Sequence, residues 1–545
     1  MDILIEKLKK LIEEVVGAQP QISISTDLSK GDMTTNAALK TADPMKTGEK
    51  IVEKIRQDKE LYSHFEKIEL VRPGFINFYI SQGYIGNELA ELLSKNKKTE
   101  PATKSLIFEF GDPNPFKEPH IGHLRNLVLG EAISRLLEAD SWQVIRADYQ
   151  GDVGMHVAKA IWGVLKLAFD IEKITSSDLG KAYTTGAKAY EESEDSKKEI
   201  EDLNKMIYSK DSSISKLWEK GRKVSLDYFE DLYKAVGVKY EKYYFESQTA
   251  SVGLKIVKEN TPKVFEEHDG ATVFRGEKAG LHTRVFITGE GNPTYEAKDL
   301  GLAFLKDKDF PKADKSIIMT ANEQVEYFKV MLSALSEIDK NLAGKTSHVS
   351  FGFVNLKEGK MSSRAGNVVN AFWLIEEVKK RVKKEFSEVS DSVLEDITLS
   401  AVKWSMLKFS RESNISFDIN ESVQIEGNSG PYMLYAYART ASLLAKGNKV
   451  PSEAKTRENF DGLLLALARI ICQFDSVKKS AADAFSPNIL ANYLFTLAQS
   501  FNQFYEKEKV IGSGDEEEKL FVIKAVGEVL KEGLQILGIN TPEKI

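Results

Sequence analysis

Glu109–Arg125 reads EFGDPNPFKEPHIGHLR, and the fold turns on it. Just ahead, Ser105–Phe110 is a short β-rich run, and Gly111–Pro115 is a Gly/Pro/Asn loop. A helix is predicted from near His120, because Leu124, Leu127, Val128, Ala132, Ile133, Leu136 and Leu137 fall on its inner side. Trp142–Ala147 is expected to be a second strand. Strand, loop, helix and strand over this distance make a βαβ unit, the start of a parallel sheet. A helix start presents unpaired N–H groups and a partial positive charge, so phosphates settle there. His120 and His123 are neighbours on one helical face, and both can donate to phosphate oxygens. Gly122 lets a flat base approach the backbone, and Lys117 stands just upstream within reach of phosphate. A bare H-x-x-H is as readily a surface pair as a site. The preceding strand, the Asn-Pro loop and Lys117 tip it toward nucleotide chemistry.

Far downstream, Gly359–Val369 (GKMSSRAGNVV) is rich in Gly, Ser and basic residues, the composition of a loop able to fold over a triphosphate. Alone it is an ordinary solvated turn. Residues from about 166 to 284 are charged and mostly helical in pattern (Lys197–Lys210, Ile214–Val236), which marks an insertion. Strand-like runs at Val285–Thr288, Ser316–Thr320 and His348–Val354 are expected to complete the sheet. From about 376 onward the pattern is almost entirely helical, ending in Glu516–Leu537. At the other end, Met1–Val16 reads as an amphipathic helix, Val71–Ile80 as a strand after a Pro-Gly turn, and Ser94–Lys104 as a linker.

Composition sets outer limits. With 545 residues, several domains are expected. The single cysteine, Cys472, excludes an internal disulfide and a multi-thiolate zinc site, and fits a reducing cytoplasm. No segment has the roughly 20 apolar residues of a membrane span. A net charge of -7 leaves nucleic-acid binding to local basic patches.

These stretches together resemble class I aminoacyl-tRNA synthetases, with HIGH at His120–His123 and a KMSKS variant at Lys360–Arg364. The details resemble the arginine family. They include Asn114-Pro115-Phe116-Lys117 followed by HIGHLR, Gly151-Asp152-Val153-Gly154, and Thr294-Tyr295 with Asp299. Glu426–Tyr432, Tyr435–Arg439, Gly31-Asp32 with Thr35-Asn36, and Gly74–Phe78 match as well. The resemblance implies an α/β Rossmann-like parallel-sheet catalytic domain with an inserted helical region. An α+β N-terminal domain and an all-α anticodon-binding bundle would flank it. The expected bounds are 1–98, 99–375 with the insertion, a helical connector at 376–415, and the bundle at 416–545.

It also implies roles. His120, His123, Lys117, Lys360 and Arg364 are the catalytic set, and His120, Gly122, His123, Lys360, Met361, Ser362 and Ser363 contact ATP. Ser363 stands where the motif has lysine, and Lys117 is expected to substitute for it. Glu109, Asn114, Tyr295, Asp299 and the loosely matched Gln324 would bind arginine; a guanidinium needs acceptors in a fork. Phe75, Asn77, Tyr435 and Arg439 would meet tRNA, and Tyr432 and Tyr437 could stack on bases. The implied substrates are ATP with Mg²⁺, L-arginine and tRNA(Arg), with no tightly bound metal, no DNA and no membrane partner. A cytoplasmic monomer is expected. Three rivals remain open: another class I synthetase such as the lysine type, a non-catalytic tRNA-binding paralogue, and a small-molecule adenylyltransferase. The last has no use for the long helical tail.

Overall fold

The computed structural model describes residues 1–25, 30–94, 102–357, 369–447 and 460–545. The chain divides into two units. One comprises Met1–Thr99, Glu388–Ser400 and Gln424–Ile545; the other comprises Glu100–Ser387 and Ala401–Val423.

In the first unit the helix Asp2–Val16 buries Leu4, Ile5, Leu8 and Ile12. It accompanies a four-stranded antiparallel sheet of β1 (Ile22–Ile24), β2 (Met33–Thr35), β3 (Phe65–Val71) and β4 (Phe75–Ile80), ordered β1-β2-β4-β3. The strand expected over Val71–Ile80 is thus split. Val71 ends β3, and Pro73, which has no N–H to give a ladder, lies in the hairpin turn before β4. The same unit holds the C-terminal helices Gly430–Lys446, Gly462–Ile471, Phe474–Asp483, Pro487–Lys507 and Glu516–Ile536. The last buries Leu520, Phe521, Ile523, Val526, Val529, Leu530 and Leu534, the apolar set that its sequence period selects. Asp32 accepts from the Ile80 N–H at 2.8 Å and pairs with the Arg469 guanidinium at 3.3 Å, joining the small sheet to the bundle.

The second unit is built on a five-stranded parallel sheet. Its strands are β5 (Lys104–Glu109), β6 (Trp142–Gln150), β7 (Lys242–Phe245), β11 (Lys315–Ala321) and β12 (Thr346–Phe351), ordered β12-β11-β5-β6-β7. The helix Ile121–Ala139 packs on it through Leu124, Leu127, Val128, Ala132, Ile133, Leu136 and Leu137, all buried.

Two expectations about strands need correction. Arg284–Ile287 (β10) does not enter the main sheet. It pairs antiparallel with β9 (Ala271–Phe274), which pairs with β8 (Glu266–His268), in a separate three-stranded sheet. The fifth main strand is β7, inside the stretch expected to be inserted helix. Only four residues long between charged helices, it offers too short a period to stand out. The nearly all-helical C-terminal half also contains β14 (Ile415–Phe417), paired parallel with β13 (Val354–Leu356). The stretch expected as an insertion, about 166–284, contains the helices Ser176–Glu192, Glu194–Ser209, Ser212–Val236 and Glu246–Glu259. No helix among the described residues is long and apolar enough to cross a membrane.

Candidate active site

β5 is central, with β6 on one side and β11 on the other, so the chain reverses its direction of winding between β5 and β11. At such a switch point the loops beyond the strand ends diverge and leave a crevice. A cavity of about 680 Å³ lies there, lined by Gly111, Asp112 and Asn114 after β5, Thr320, Ala321, Glu323 and Gln324 around the end of β11, and His120, Gly122 and His123. Phe351, Phe353 and β13 close another side.

The two histidines cap their own helix. The Gly122 N–H donates to His120 Nδ1 at 3.0 Å, and the His120 N–H donates to His123 Nδ1 at 3.1 Å. This reciprocal capping satisfies two N–H groups that the helix start leaves unpaired. An Nδ1 that accepts cannot carry the proton, so each neutral ring holds it on Nε2. Burial, then the Lys117 charge, pushes the His120 pKa down; burial, His120 and Lys117 push that of His123 well down. The site therefore presents two neutral Nε2–H donors with ring centroids 3.9 Å apart. Gly122 has a further reason to be glycine: a Cβ there would stand 2.8 Å from His120 Cε1.

The expected site residues divide into groups. His120, Gly122, His123, Asn114 and Gln324 line one cavity. Lys117 lies near the histidines with its ammonium 4.4 Å from the centre of the Tyr183 ring. Lys360, Met361, Ser362, Ser363 and Arg364 lie outside the described residues. The chain on either side of them, at Leu356 and Val369, lines the cavity, and the Ile121 N–H donates to the Val369 carbonyl at 2.8 Å. Val369, the last residue of that downstream stretch, is thus bonded to the start of the histidine helix.

The expected guanidinium fork is more dispersed. Glu109 is buried, and the ammonium of buried Lys306 pairs with its Oε2, so its charge is already shared. Asp299 accepts from the Tyr327 hydroxyl at 2.5 Å; burial raises its carboxyl to about 8, against the pull of that bond. Tyr295, 59% exposed, lines a neighbouring cavity of about 530 Å³ with Tyr208 and Lys298, whose ammonium lies 4.4 Å from the Tyr295 ring centre. Asp148 accepts from the Asp112 N–H at 3.1 Å and from Tyr233 and Gln150 at 2.7 and 2.5 Å; burial lifts it to about 7.

In the first unit, Phe75 is 37% exposed, and Asn77 accepts from the Thr34 hydroxyl at 2.9 Å. Tyr435 is exposed and carries the Arg439 guanidinium 4.6 Å from its ring centre. Tyr437, expected as a possible stacking ring, is buried and belongs to the core. One residue with a large role was not anticipated: Arg125, wholly buried beside the histidines. A charge inside the apolar run LRNLVLG was the available signal, since such a charge must find partners.

Matches to known proteins follow the order of these parts. The family described as class I tRNA synthetases (R), catalytic domain, matches residues 88–419. The arginyl-tRNA synthetase N-terminal domain matches 2–80, and the DALR anticodon binding domain matches 433–545. The arginine–tRNA ligase of Bacteroides thetaiotaomicron is 28% identical over 92% of this chain and 91% of its own. That of Bacteroides fragilis strain YCH46 is 26% identical over 99% and 98%. Among solved structures, Thermus thermophilus arginyl-tRNA synthetase superposes with a TM-score of 0.84 at 23% identity, covering 99% of this chain and 100% of that one. The Plasmodium falciparum arginyl-tRNA synthetase superposes at 0.81 and 22%, covering 99% of each. At these identities the superpositions speak for the fold; the family matches, spanning most of the sequence, speak for descent. The chain belongs to the arginyl-tRNA synthetases, class I enzymes that use ATP to join arginine to tRNA.

Proposed function

We propose that arginyl-adenylate forms in the cavity beside His120 and His123, and that arginine passes from there to the terminal 2′-hydroxyl of tRNA(Arg). An arginine carboxylate oxygen attacks the α-phosphorus of ATP, and the bond to the pyrophosphate oxygen breaks. The ribose hydroxyl then attacks the adenylate carbonyl, releasing AMP. Neither step needs a covalent enzyme intermediate, so the protein's work is positioning and charge stabilisation. What supports this site above all is the reciprocal histidine cap, which leaves two neutral Nε2–H donors at a helix N-terminus facing the switch-point cavity.

In this reading His120 and His123 donate to ATP oxygens, and Gly122 admits the base. Lys117, Lys360 and Arg364 balance the charge growing on the triphosphate, with Met361, Ser362 and Ser363 beside it. ATP enters as its Mg²⁺ complex, the ion held by phosphate oxygens and water. Asn114 holds the arginine backbone groups. Asp299 and Tyr295 take the guanidinium, with Gln324 nearby; Glu109 contributes the charge it shares with Lys306. A buried carboxylate left without its guanidinium costs about 1–3 kcal/mol, which rejects citrulline without editing. Residues 1–98 and 416–545 make the tRNA contacts, through Phe75 and Asn77 at one end and Tyr435 and Arg439 at the other. The enzyme acts as a cytoplasmic monomer.

The test is aminoacylation of total tRNA with each of the twenty amino acids, alongside ATP–pyrophosphate exchange with tRNA present. Arginine alone should support both. Exchange driven by lysine instead, or tRNA binding without ATP turnover, would overturn this assignment.

A further inference from the structure

Arg125 lies two residues beyond His123, is wholly buried, and among the described residues has no carboxylate as a hydrogen-bond partner. Its guanidinium donates instead to main-chain carbonyls: Nη1 to Gly352 at 2.6 Å and Phe353 at 2.8 Å, Nη2 to Ser413 at 2.8 Å and Arg411 at 3.2 Å. These carbonyls belong to two loops, one between β12 and β13 and one leading into β14. The loops are interlaced. The Gly352 N–H donates to the Arg411 carbonyl at 2.9 Å, the Ile415 N–H to the Phe353 carbonyl at 2.8 Å, and the Phe353 N–H to Asn414 Oδ1 at 2.8 Å. A Cβ at residue 352 would meet the Ser413 oxygen at 2.3 Å, so glycine is required for the approach. Burying a charge without a counter-ion is costly, and a side chain kept for packing alone would not carry one.

Phe353 and β13 form the cavity wall that faces the histidines. We propose that Arg125 is a positioning residue for adenylate formation: it fixes that wall, through two interlaced loops, against the helix that carries His120 and His123. A guanidinium suits the task because its planar fork of donors reaches carbonyls from both loops at once. A lysine ammonium keeps the charge but concentrates its donors at one point.

This rests on the reading of His120 and His123 as ATP donors. The experiment is arginine-dependent ATP–pyrophosphate exchange with tRNA present in Arg125→Lys, measured with thermal melting, tRNA binding and the separate KM values. His123→Ala is the control. The expected result for Arg125→Lys is a kcat lower by about 100-fold, the scale of a misplacement near 1 Å, with the melting temperature lowered but above the assay temperature, and with tRNA binding and KM for arginine unchanged. An unchanged kcat, or a fall matched by the fraction unfolded, overturns the proposal. Should Arg125→Lys fail to fold, Asn414→Ala loosens the same junction without disturbing the buried charge. A fall in kcat of about fivefold in that folded variant supports positioning, and an unchanged kcat overturns it. If His123→Ala leaves exchange intact, the assignment of the cavity fails. If His123→Ala abolishes exchange while the junction variants do not alter it, only the role of Arg125 fails.

Discussion

Two pairs of side chains, one at the start of the helix Ile121–Ala139 and one along the helix Gly430–Lys446, are each offered to a ligand in a different way. His120 and His123 are locked by backbone hydrogen bonds into one arrangement, and each has one donor left over. Tyr435 is 41% exposed and held mainly by a guanidinium lying over its ring. The first pair has its orientation fixed before the substrate arrives and is worth most where charge develops in a transition state. The second adds contact area to a ground-state complex, where each ring contributes modestly and separately. Removal of a histidine should therefore act on rate, and removal of the tyrosine on affinity.

The largest effect is expected from His123→Ala. It deletes an Nε2–H donor and also the acceptor of the His120 backbone N–H, so one end of the helix cap is left unpaired while the His120 ring keeps its bond from the Gly122 N–H. Loss of one preorganised donor costs about 100- to 1000-fold in kcat, and exchange should fall at least that far. Binding of tRNA should stay at the parent value. Equal losses in rate and tRNA affinity would show that the cap is architectural and would erase the contrast with Tyr435.

A second, smaller effect depends on pH. Asp299 has its carboxyl raised to about 8 by burial, so in the free enzyme it is neutral below that value and charged above it. Only the charged form holds a guanidinium strongly. Hence kcat/KM for arginine should rise through pH 8, by about tenfold over two pH units, and Asp299→Asn should remove the rise. The histidines push no limb into the same range. Both are depressed, so their neutral donor forms persist as pH falls through the ordinary histidine value. An inflection near pH 6.5 that vanishes in His120→Ala would contradict the neutral-donor account.

The same contrast explains what could be read from sequence. The βαβ unit, the helix start, the apolar face of Ile121–Ala139 and the core row of the last helix were legible because each is a local period or a cap. The partners of Glu109 and Arg125 were not. Lys306 is distant in sequence and looks like any helix lysine, and the acceptors of Arg125 are main-chain carbonyls, which every residue possesses. Tyr435 and Tyr437 share a sequence neighbourhood and differ only in helical face, so burial of one and exposure of the other required the bundle to be seen. β7 escaped because its four residues pair with β6 rather than with anything near them in sequence. Where function is carried by a motif, local chemistry announces it; where it is carried by convergence, only the packed chain does.

Tyr435→Ala should give the smallest change, confined to affinity. One face of its ring is already occupied by Arg439, whose guanidinium also lies 4.4 Å from the centre of the Tyr505 ring and donates to Asn502 at 2.8 Å. That leaves the ring one free face for a base, so the lower end of the stacking range applies, about 1 kcal/mol or roughly fivefold in Kd for tRNA. The kcat for exchange at saturating tRNA should not move, because stacking on Tyr435 adds only to ground-state affinity. Tyr435→Phe should bind as the parent does, since stacking uses the ring and not the hydroxyl. If the phenylalanine variant weakened binding as much as alanine, the hydroxyl would be the contact, and the exposed ring would be read as a hydrogen-bonding group of the same preorganised kind as the histidines.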